Sequence, residues 1–384
     1  MLTWREVQAV EDTSDRQQVG TMHPGIPVYR QSRALIALFP DDGFKVLSSG
    51  FTNGGFVDSP ESVANIGTMG GMPEFSCMFG GLDENDECAL DYAARLGLDP
   101  RRTVCMCTAA NMVNAVITNR QTPDGIGVST AITAGILHNG GRSGDPATYD
   151  ESADETENTN GTIVILLSVD AQLSDMAMVQ ALMIATEAKT SVVQELQARS
   201  LYSPNIATGS GTDQVAVIIR KGSKQVRTID RNSDLAMTIS GCVRDGLRKA
   251  FDLQSGMDTE LQSDVMTILS RYGLTQDVIR NEIRFPATMK ELLTALDIIR
   301  RDRYTAAMAA AVLEIQDEVR KGVVDDKAGL DVARRICVDN VIGGYASEVE
   351  RIRLESAESI PEMVSYLAAV RLMRTVEERR SEHD

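Results

Sequence analysis

The spacing of apolar residues between Ser174 and Leu196 predicts a helix that is buried on more than one side. Two stripes recur at three- and four-residue spacing: Met176, Val179, Met183, Thr186, Thr190 and Val193, and Leu182, Ala185, Lys189, Val192 and Leu196. Ser174 suits the N-cap position. The second stripe is apolar except for Lys189, so the segment TEAK (186–189) should lie in the middle of a core helix.

Runs of apolar residues predict strands at 34–39, 45–49, 104–108, 128–136, 161–169 and 214–219. The first two should pair through the turn sequence PDDG. Residues 161–169 form the strongest candidate, a central strand buried on both faces. Helices are expected at 84–96 and at 235–251, the latter opened by Ser233 or Asp234. The segments 57–80 and 146–160 are predicted to be loops, the second of them acidic and solvated.

Helical periodicity takes over from about Ser255. Four or five helices are expected there, with capping boxes at Thr288/Glu291 and Ser359/Glu362 and one long helix reaching about Arg320. The predicted fold class is therefore α/β (α+β), a mixed sheet flanked by helices in residues 1–254, followed by an all-helical region, 255–384. That region is either a dimerisation or regulatory domain or a packing extension of the first domain.

Composition narrows the range of partners. The 384 residues carry a net charge of −17, which argues against nucleic acid or an anionic membrane as the main partner. No apolar run reaches about 18 residues, so no membrane span is predicted, and the N-terminus does not resemble a secretory signal. The six cysteines include no CxxC pair, and the three histidines are scattered. We therefore expect no zinc site, and free thiols in a reducing cytoplasm.

The charges of the TEAK segment need an explanation, because burying a charge is costly unless it is paired. Glu187 and Lys189 are two residues apart, so they point to different sides of a helix and cannot simply pair with each other. Either each has a partner or ligand elsewhere, or Lys189 extends to solvent and Glu187 lies on a solvated edge. The following ATGSGTD (207–213) offers backbone N–H groups and hydroxyls to a ligand, although an ordinary loop before a strand would also explain it.

TEAK followed by ATGSGTD resembles the adenosylcobinamide amidohydrolase family of the CbiZ type. Members typically carry TEAK and ATGTGTD, so Ser210 replaces a threonine here. Three further segments are similar to family motifs in the same order: VLSSGFTNGG (46–55), TAGILHNGGRSGD (133–145) and NGTIVILLSVDAQLSD (160–175). The resemblance covers roughly Gly20 to Leu253, and Val164 stands where the family usually has asparagine.

The resemblance implies hydrolysis of the amide that joins the corrinoid ring side chain to aminopropanol, which gives adenosylcobyric acid for cobalamin salvage. The cobalt corrinoid is then the small-molecule substrate, and no cofactor or protein-bound metal is required. The C-terminal helices could serve a homo-oligomer. The alternatives are a catalytically inactive corrinoid-binding or regulatory protein with the same site, which Val164 and the helical tail favour, and an α/β nucleotide-binding protein.

Among candidate catalytic residues, Glu187 is the expected general base, and Lys189 would stabilise the oxyanion or position its neighbours. Asp213 would orient these groups, and His138 could act as acid or base; otherwise His138 is a hydrogen-bonded loop residue. Candidate substrate-binding residues are Asn53, Gly54, Asp145, Thr186, Thr208, Gly209, Ser210, Gly211 and Thr212. Asn53 and Gly54 could instead form a tight turn, and Asp145 an Asx turn before Pro146.

The nucleophile is left open by the sequence. No G-x-S-x-G elbow and no HExxH motif is present. A nucleophile at a new N-terminus, exposed by self-cleavage, would be chemically acceptable, but the sequence alone singles out no residue for it.

Overall fold

The computed structural model describes residues 15–67, 90–147, 161–283, 286–341 and 348–382. The chain divides into two compact units, Met1–Asp258 and Thr259–Asp384. The first contains two large β-sheets and two two-stranded ribbons, one of which pairs β12 (Gln172–Leu173) with β15 (Gln225–Val226). The second is helical, so the predicted fold class is confirmed. None of the helices in the described ranges is long and apolar enough to cross a bilayer.

The first sheet has five strands in the order β1-β2-β3-β6-β7. These are β1 (Gln17–Met22), β2 (Ile26–Gln31), β3 (Ala34–Leu38), β6 (Ser62–Gly67) and β7 (Thr103–Thr108). β6 and β7 run parallel, and the other neighbours are antiparallel. The outer face of this sheet packs against a short helical segment, residues 90–95, and the turn after it.

The second sheet has six strands in the order β5-β4-β14-β11-β9-β8. These are β5 (Gly55–Asp58), β4 (Phe44–Ser48), β14 (Gln214–Arg220), β11 (Thr162–Val169), β9 (Gly127–Gly135) and β8 (Val116–Gln121). All eight residues of β11 are buried, which confirms the predicted central strand. β11 runs parallel to β14 and antiparallel to β9. An apolar core between the two sheets includes Val28, Val46, Val104 and Leu166.

Two helices cover the outer face of the second sheet. The first, α1 (Asp175–Glu195), begins at Ser174, whose hydroxyl accepts a hydrogen bond from the Ala177 N–H, as predicted. The second, α2 (Asp234–Ser255), begins at Ser233 and ends at Gly256, whose φ is +64°. With a helical segment outside the first sheet, the unit has the layer order helix, sheet, sheet, helix.

Two predictions about strands were wrong. Residues 34–38 and 44–48 do not pair with each other, because β3 pairs with β2 and β6 while β4 pairs with β5 and β14. The PDDG connection instead carries the chain from one sheet to the other, where Phe39 and Phe44 stack with ring centres 4.8 Å apart. The predicted loop at 57–80 contains the end of β5 and the fully buried β6; its residues 68–80 lie outside the described residues, as do the predicted helical residues 84–89 and the acidic residues 148–160.

The first apolar stripe of α1 was predicted wrongly at its three N-terminal members, whereas its last member, Val193, is buried. Met176, Val179 and Met183 are 54%, 43% and 52% exposed. The buried face instead carries Ala177, Ala181, Ala185, Val192 and Lys189, because small residues allow close packing on α2 and β14. The second predicted stripe is therefore the one that faces the core.

The second unit has eight helices in its described residues, more than the four or five predicted. They are α3 (Thr259–Gln262), α4 (Val265–Ser270), α5 (Gln276–Asn281), α6 (Met289–Arg300), α7 (Arg303–Arg320), α8 (Asp326–Val341), α9 (Glu348–Glu355) and α10 (Ile360–Ser381). The predicted long helix breaks at Asp302, whose carboxylate caps a new helix by accepting from the Tyr304 and Thr305 N–H groups. The Thr288/Glu291 capping box is confirmed, and Ser359 caps α10.

Candidate active site

Three strands of the second sheet bring their ends together at one of its edges, where β11 and β14 begin and β9 ends. In the register of the sheet, Thr162 lies opposite Gly135, and Val164 lies opposite Gln214. The Gly-rich segment 207–213 leads directly into β14, and Gly161 leads directly into β11. Two of the motifs found in the sequence are therefore neighbours in space.

Lys189 of α1 points into this edge and is 8% exposed. Its Nζ donates a hydrogen bond to Asp213 Oδ2, and the two side chains are 10% and 12% exposed. Lys189 therefore does not extend to solvent, and the alternative based on a solvated lysine was wrong. Each of these two charged groups needs the other, because a single unpaired charge with this degree of burial would be costly.

Asp213 organises the Gly-rich loop. Its Oδ1 accepts hydrogen bonds from the Ser210 hydroxyl at 2.6 Å, from the Ser210 N–H at 3.1 Å and from the Ile163 N–H at 3.2 Å. The same carboxylate thus joins α1, the loop and the start of β11. A Cβ at Gly209 would overlap the Asp213 carboxylate and lie 2.5 Å from Lys189 Nζ, whereas a Cβ at Gly211 would meet no atom within 4 Å.

The start of the loop is anchored on both sides. The Thr190 hydroxyl of α1 donates to the Thr208 carbonyl at 3.1 Å. The Thr208 hydroxyl accepts from the Ser143 N–H at 2.9 Å, and a two-strand ribbon pairs β10 (Gly140–Gly141) with β13 (Gly209–Ser210). The segment that carries the predicted Asp145 therefore lies against the Gly-rich loop.

Asp145 fixes the local backbone. Its Oδ2 accepts from the Ser200 hydroxyl at 2.5 Å and from the Arg142 N–H at 2.7 Å. Burial acts to raise the pKa of Asp145, but the hydrogen bonds from Ser200, Ser203 and the Arg142 backbone outweigh it and hold this pKa below its ordinary value. Asp145 is therefore ionised at neutral pH.

Glu187 lies on a different side of α1. Two residues correspond to about 200° around a helix, so Glu187 and Lys189 diverge. The Glu187 side chain is 46% exposed and forms an ion pair with Arg231. Thr186 also remains within the helix, its hydroxyl donating to the Leu182 carbonyl at 2.9 Å. The structure thus brings Lys189 and Asp213 together and leaves Glu187 on the surface.

The remaining predicted residues lie outside this cluster. His138 is exposed in a turn at 137–139. Asn53, with a φ of +52°, donates to the Pro100 and Thr103 carbonyls at 2.8 and 2.7 Å, so its amide stabilises the start of β7. Gly54 packs against the Gly50 carbonyl, where a Cβ would overlap. These contacts give Asn53 and Gly54 a structural role.

Sequence reasoning missed Gly161, Thr162 and Asn139. The Gly161 carbonyl accepts hydrogen bonds from Asn139 Nδ2 and, at 3.1 Å, from the Thr212 hydroxyl. Asn139 is fully buried, and its Oδ1 has no hydrogen-bond partner. The available signal was the Gly-Thr pair before the strongest strand, together with the asparagine of HNGG, both of which fall in segments that resemble the family.

Further polar side chains line the space between the sheets at this edge. Asn65 Nδ2 donates to the Thr133 hydroxyl at 2.9 Å, and Asn65 Oδ1, also fully buried, has no partner. Gln214 bonds to both backbone groups of Cys107, at 3.2 and 3.0 Å. Val164 lies between Thr133 and Gln214 in the sheet but packs into the apolar core. Among the residues that the structure describes, no group of three His, Cys, Asp or Glu side chains could hold a metal ion.

A sequence model of the adenosylcobinamide amidohydrolase family matches residues 21–259. The match covers more than half of the chain and includes the whole edge just described. The chain belongs to the adenosylcobinamide amidohydrolase family, which confirms the resemblance seen in its motifs.

Among curated proteins, an uncharacterized protein of Methanocaldococcus jannaschii is 36% identical over 141 residues, which are 34% of this chain and 55% of that protein. The chain thus spans little more than half the length of this relative.

Proposed function

We propose that the protein hydrolyses the amide bond between the corrinoid ring side chain and aminopropanol in adenosylcobinamide. The observation that carries this proposal is the buried Lys189–Asp213 pair, which holds the Gly-rich loop at the sheet edge of the unit that matches the family. The substrate follows from the family. The unpartnered oxygens of Asn139 and Asn65 at the same edge support a polar ligand there.

Amide hydrolysis needs a nucleophile, donors for the oxyanion and a proton for the departing amine. Lys189 supplies a fixed positive charge, and Asp213 orients it while holding the loop. The turn at Gly211 and Thr212 is exposed beside this pair, which leaves room for an incoming substrate, while the Thr212 hydroxyl bonds to the Gly161 carbonyl at 3.1 Å. Cobalt arrives as part of the corrinoid, so this proposal assigns no metal to the protein.

Glu187 has no part in this proposal. Its carboxylate is paired with Arg231 on the surface, and a general base must reach the proton that it removes. The general-base role expected from the sequence is therefore left out of the proposed mechanism, and the Glu187→Gln variant tests it.

The alternative of a corrinoid-binding protein without turnover rests on Val164, which replaces the usual asparagine. Incubation with adenosylcobinamide, followed by mass spectrometry, separates the two. Formation of adenosylcobyric acid and aminopropanol supports the enzyme. Saturable corrinoid binding, seen as a shift in its visible absorption, with the substrate recovered intact would favour the binding protein and contradict the proposal.

A further inference from the structure

We propose that the protein cleaves its own peptide bond between Gly161 and Thr162, and that Thr162 then acts as an N-terminal nucleophile. The bond lies at the start of β11, beside the Lys189–Asp213 pair. Asp213 Oδ1 accepts from the N–H of Ile163, the residue after Thr162, at 3.2 Å. The bond is therefore held in the same site as the buried ion pair.

The Gly161 carbonyl is surrounded by donors suited to an oxyanion. Asn139 Nδ2 and the Thr212 hydroxyl both donate to this oxygen, and buried donors aimed at a carbonyl oxygen stabilise the charge that develops on it during attack. Gly161 immediately precedes β11, and its carbonyl accepts from three side chains, Asn139, Thr212 and Thr162, which is more than a purely structural account requires. It also leaves the buried Asn139 Oδ1 without a partner.

The backbone at Gly161 is held in an uncommon conformation. Its φ is +138°, which L side chains rarely adopt, and a Cβ would overlap Asn139 Oδ1 and lie 2.7 Å from the Gly135 carbonyl oxygen. Glycine adopts a positive φ readily, whereas any other residue would be strained here and would collide with these two oxygens. Glycine is therefore required on the carbonyl side of the bond.

Thr162 supplies the attacking hydroxyl. Its Oγ1 lies 2.5 Å from the Gly161 carbonyl oxygen and 2.7 Å from Thr212 Oγ1, and the residue is 5% exposed. Attack of this oxygen on the carbonyl carbon closes a five-membered ring. Because the hydroxyl and the carbonyl belong to adjacent residues, the attack is an intramolecular step.

The atoms balance without any reactant except water. As Thr162 Oγ1 bonds to the Gly161 carbonyl carbon, its proton passes to the carbonyl oxygen, to which the hydroxyl already donates. Collapse of the tetrahedral intermediate breaks the C–N bond, moves a proton to the Thr162 nitrogen and leaves an ester. Water then hydrolyses the ester, which gives a Gly161 carboxylate, a free Thr162 hydroxyl and a free α-amine.

The new α-amine provides the base that is otherwise missing from the site. An N-terminal threonine can use its own amine to activate its hydroxyl, and an α-amine with a pKa of about 7.7–8.0 is partly unprotonated near neutral pH. Asn139 and Thr212 would then stabilise the oxyanion of the substrate amide. This second part rests on the proposed function, whereas the self-cleavage does not.

The intact mass of the purified full-length chain tests the self-cleavage. We expect the 41.7 kDa chain to be replaced by two fragments, 1–161 and 162–384, with threonine as the new N-terminal residue. Thr162→Ala should remain one chain, and Thr162→Ser should be cleaved. Asn139→Ala should slow cleavage by roughly 10²–10³-fold, as expected for the loss of an oxyanion donor.

Thr103→Ala serves as the matched control, because Thr103 is also a buried threonine at the start of a strand. It should be cleaved like the parent protein. A parent chain that stays intact while folded, or a Thr162→Ala chain cut at the same bond, would overturn the proposal. Hydrogen exchange in β11 and β14 verifies that each variant is folded.

The two proposals fail in different ways. Cleaved protein that leaves adenosylcobinamide intact would support self-cleavage and contradict the proposed function. An intact chain that releases aminopropanol would support the proposed function and overturn self-cleavage.

Discussion

Replacing Lys189 with methionine tests whether the ion pair at the sheet edge is a buried one. Methionine keeps most of the length of the side chain and its apolar contacts but removes the ammonium. Asp213 would keep its donors from Ser210 and Ile163 but lose the only cationic partner that the structure gives it among the described residues. The variant therefore leaves a nearly buried carboxylate without a counter-charge.

The expected cost follows from burial. Breaking a buried pair by removing one partner typically costs about 3–5 kcal/mol. The side chains of this pair are 10% and 12% exposed, and three hydrogen bonds still stabilise Asp213, so we expect about 3 kcal/mol. Lys249 and Asp252 of α2 provide the control, since their side chains are 56% and 40% exposed and such pairs contribute well under about 1 kcal/mol.

Native-state hydrogen exchange on β11 and β14 reports the opening free energy of the first unit by itself. Both lysine variants should be compared in the Thr162→Ala background, so that every chain is continuous. A loss of about 3 kcal/mol for Lys189→Met and little change for Lys249→Met are expected. Equal protection in both variants would refute the buried pair and leave the Gly-rich segment as an ordinary turn.

Three further predictions concern the same edge. Gly209→Ala should lower the unfolding free energy by about 1–3 kcal/mol, because the added Cβ overlaps the Asp213 carboxylate. Gly211→Ala, whose Cβ would meet open space, should change the unfolding free energy far less, and equal effects of the two variants in urea unfolding would contradict the loop geometry. Glu187→Gln should change turnover by no more than about twofold, because the Glu187 carboxylate pairs with Arg231 on the surface. A loss of roughly 10²-fold would instead identify Glu187 as the general base. The pKa of Asp145 is lowered in the folded state, so the carboxylate stabilises the fold above its unfolded pKa, and this stabilisation is lost as pH falls through the folded pKa. The difference in unfolding free energy between the parent and Asp145→Asn should therefore shrink on acidification. A constant difference from pH 7 to pH 3 would contradict this role of Asp145.

The sequence predicted the fold class and the strongest elements because these depend on local patterns. The buried strand β11 and the helix cap at Ser174 each follow from a short run of adjacent residues, eight apolar or small residues in the first case and a serine before a helical pattern in the second. The pairing of strands is a long-range property, and the turn sequence PDDG fits a hairpin as well as a crossing between sheets. Only the stacking of Phe39 on Phe44 and the partners of each strand separate these two topologies.

Within the candidate site, the sequence pattern did not show which charged side chains are buried and which are exposed. Glu187 and Lys189 sit two positions apart in one motif, yet α1 directs Lys189 to Asp213 and Glu187 to Arg231. The apolar stripe through Met183 looked like a core face but is exposed, because the smaller alanines pack more closely on the sheet. Asn139 and Thr162 were missed because an asparagine in a turn and a threonine in a strand are common.

Release of aminopropanol from adenosylcobinamide tests the proposed function most directly. The parent protein and Lys249→Met should release aminopropanol and adenosylcobyric acid in equal amounts, measured by liquid chromatography with mass spectrometry. Lys189→Met, examined at a temperature where hydrogen exchange shows it folded, should lose roughly 10²-fold or more in rate, as expected when an electrostatic contribution to the transition state is removed. A parent protein that releases neither product, or a folded Lys189→Met variant as fast as the parent, would contradict the assignment of this sheet edge as an amidohydrolase site.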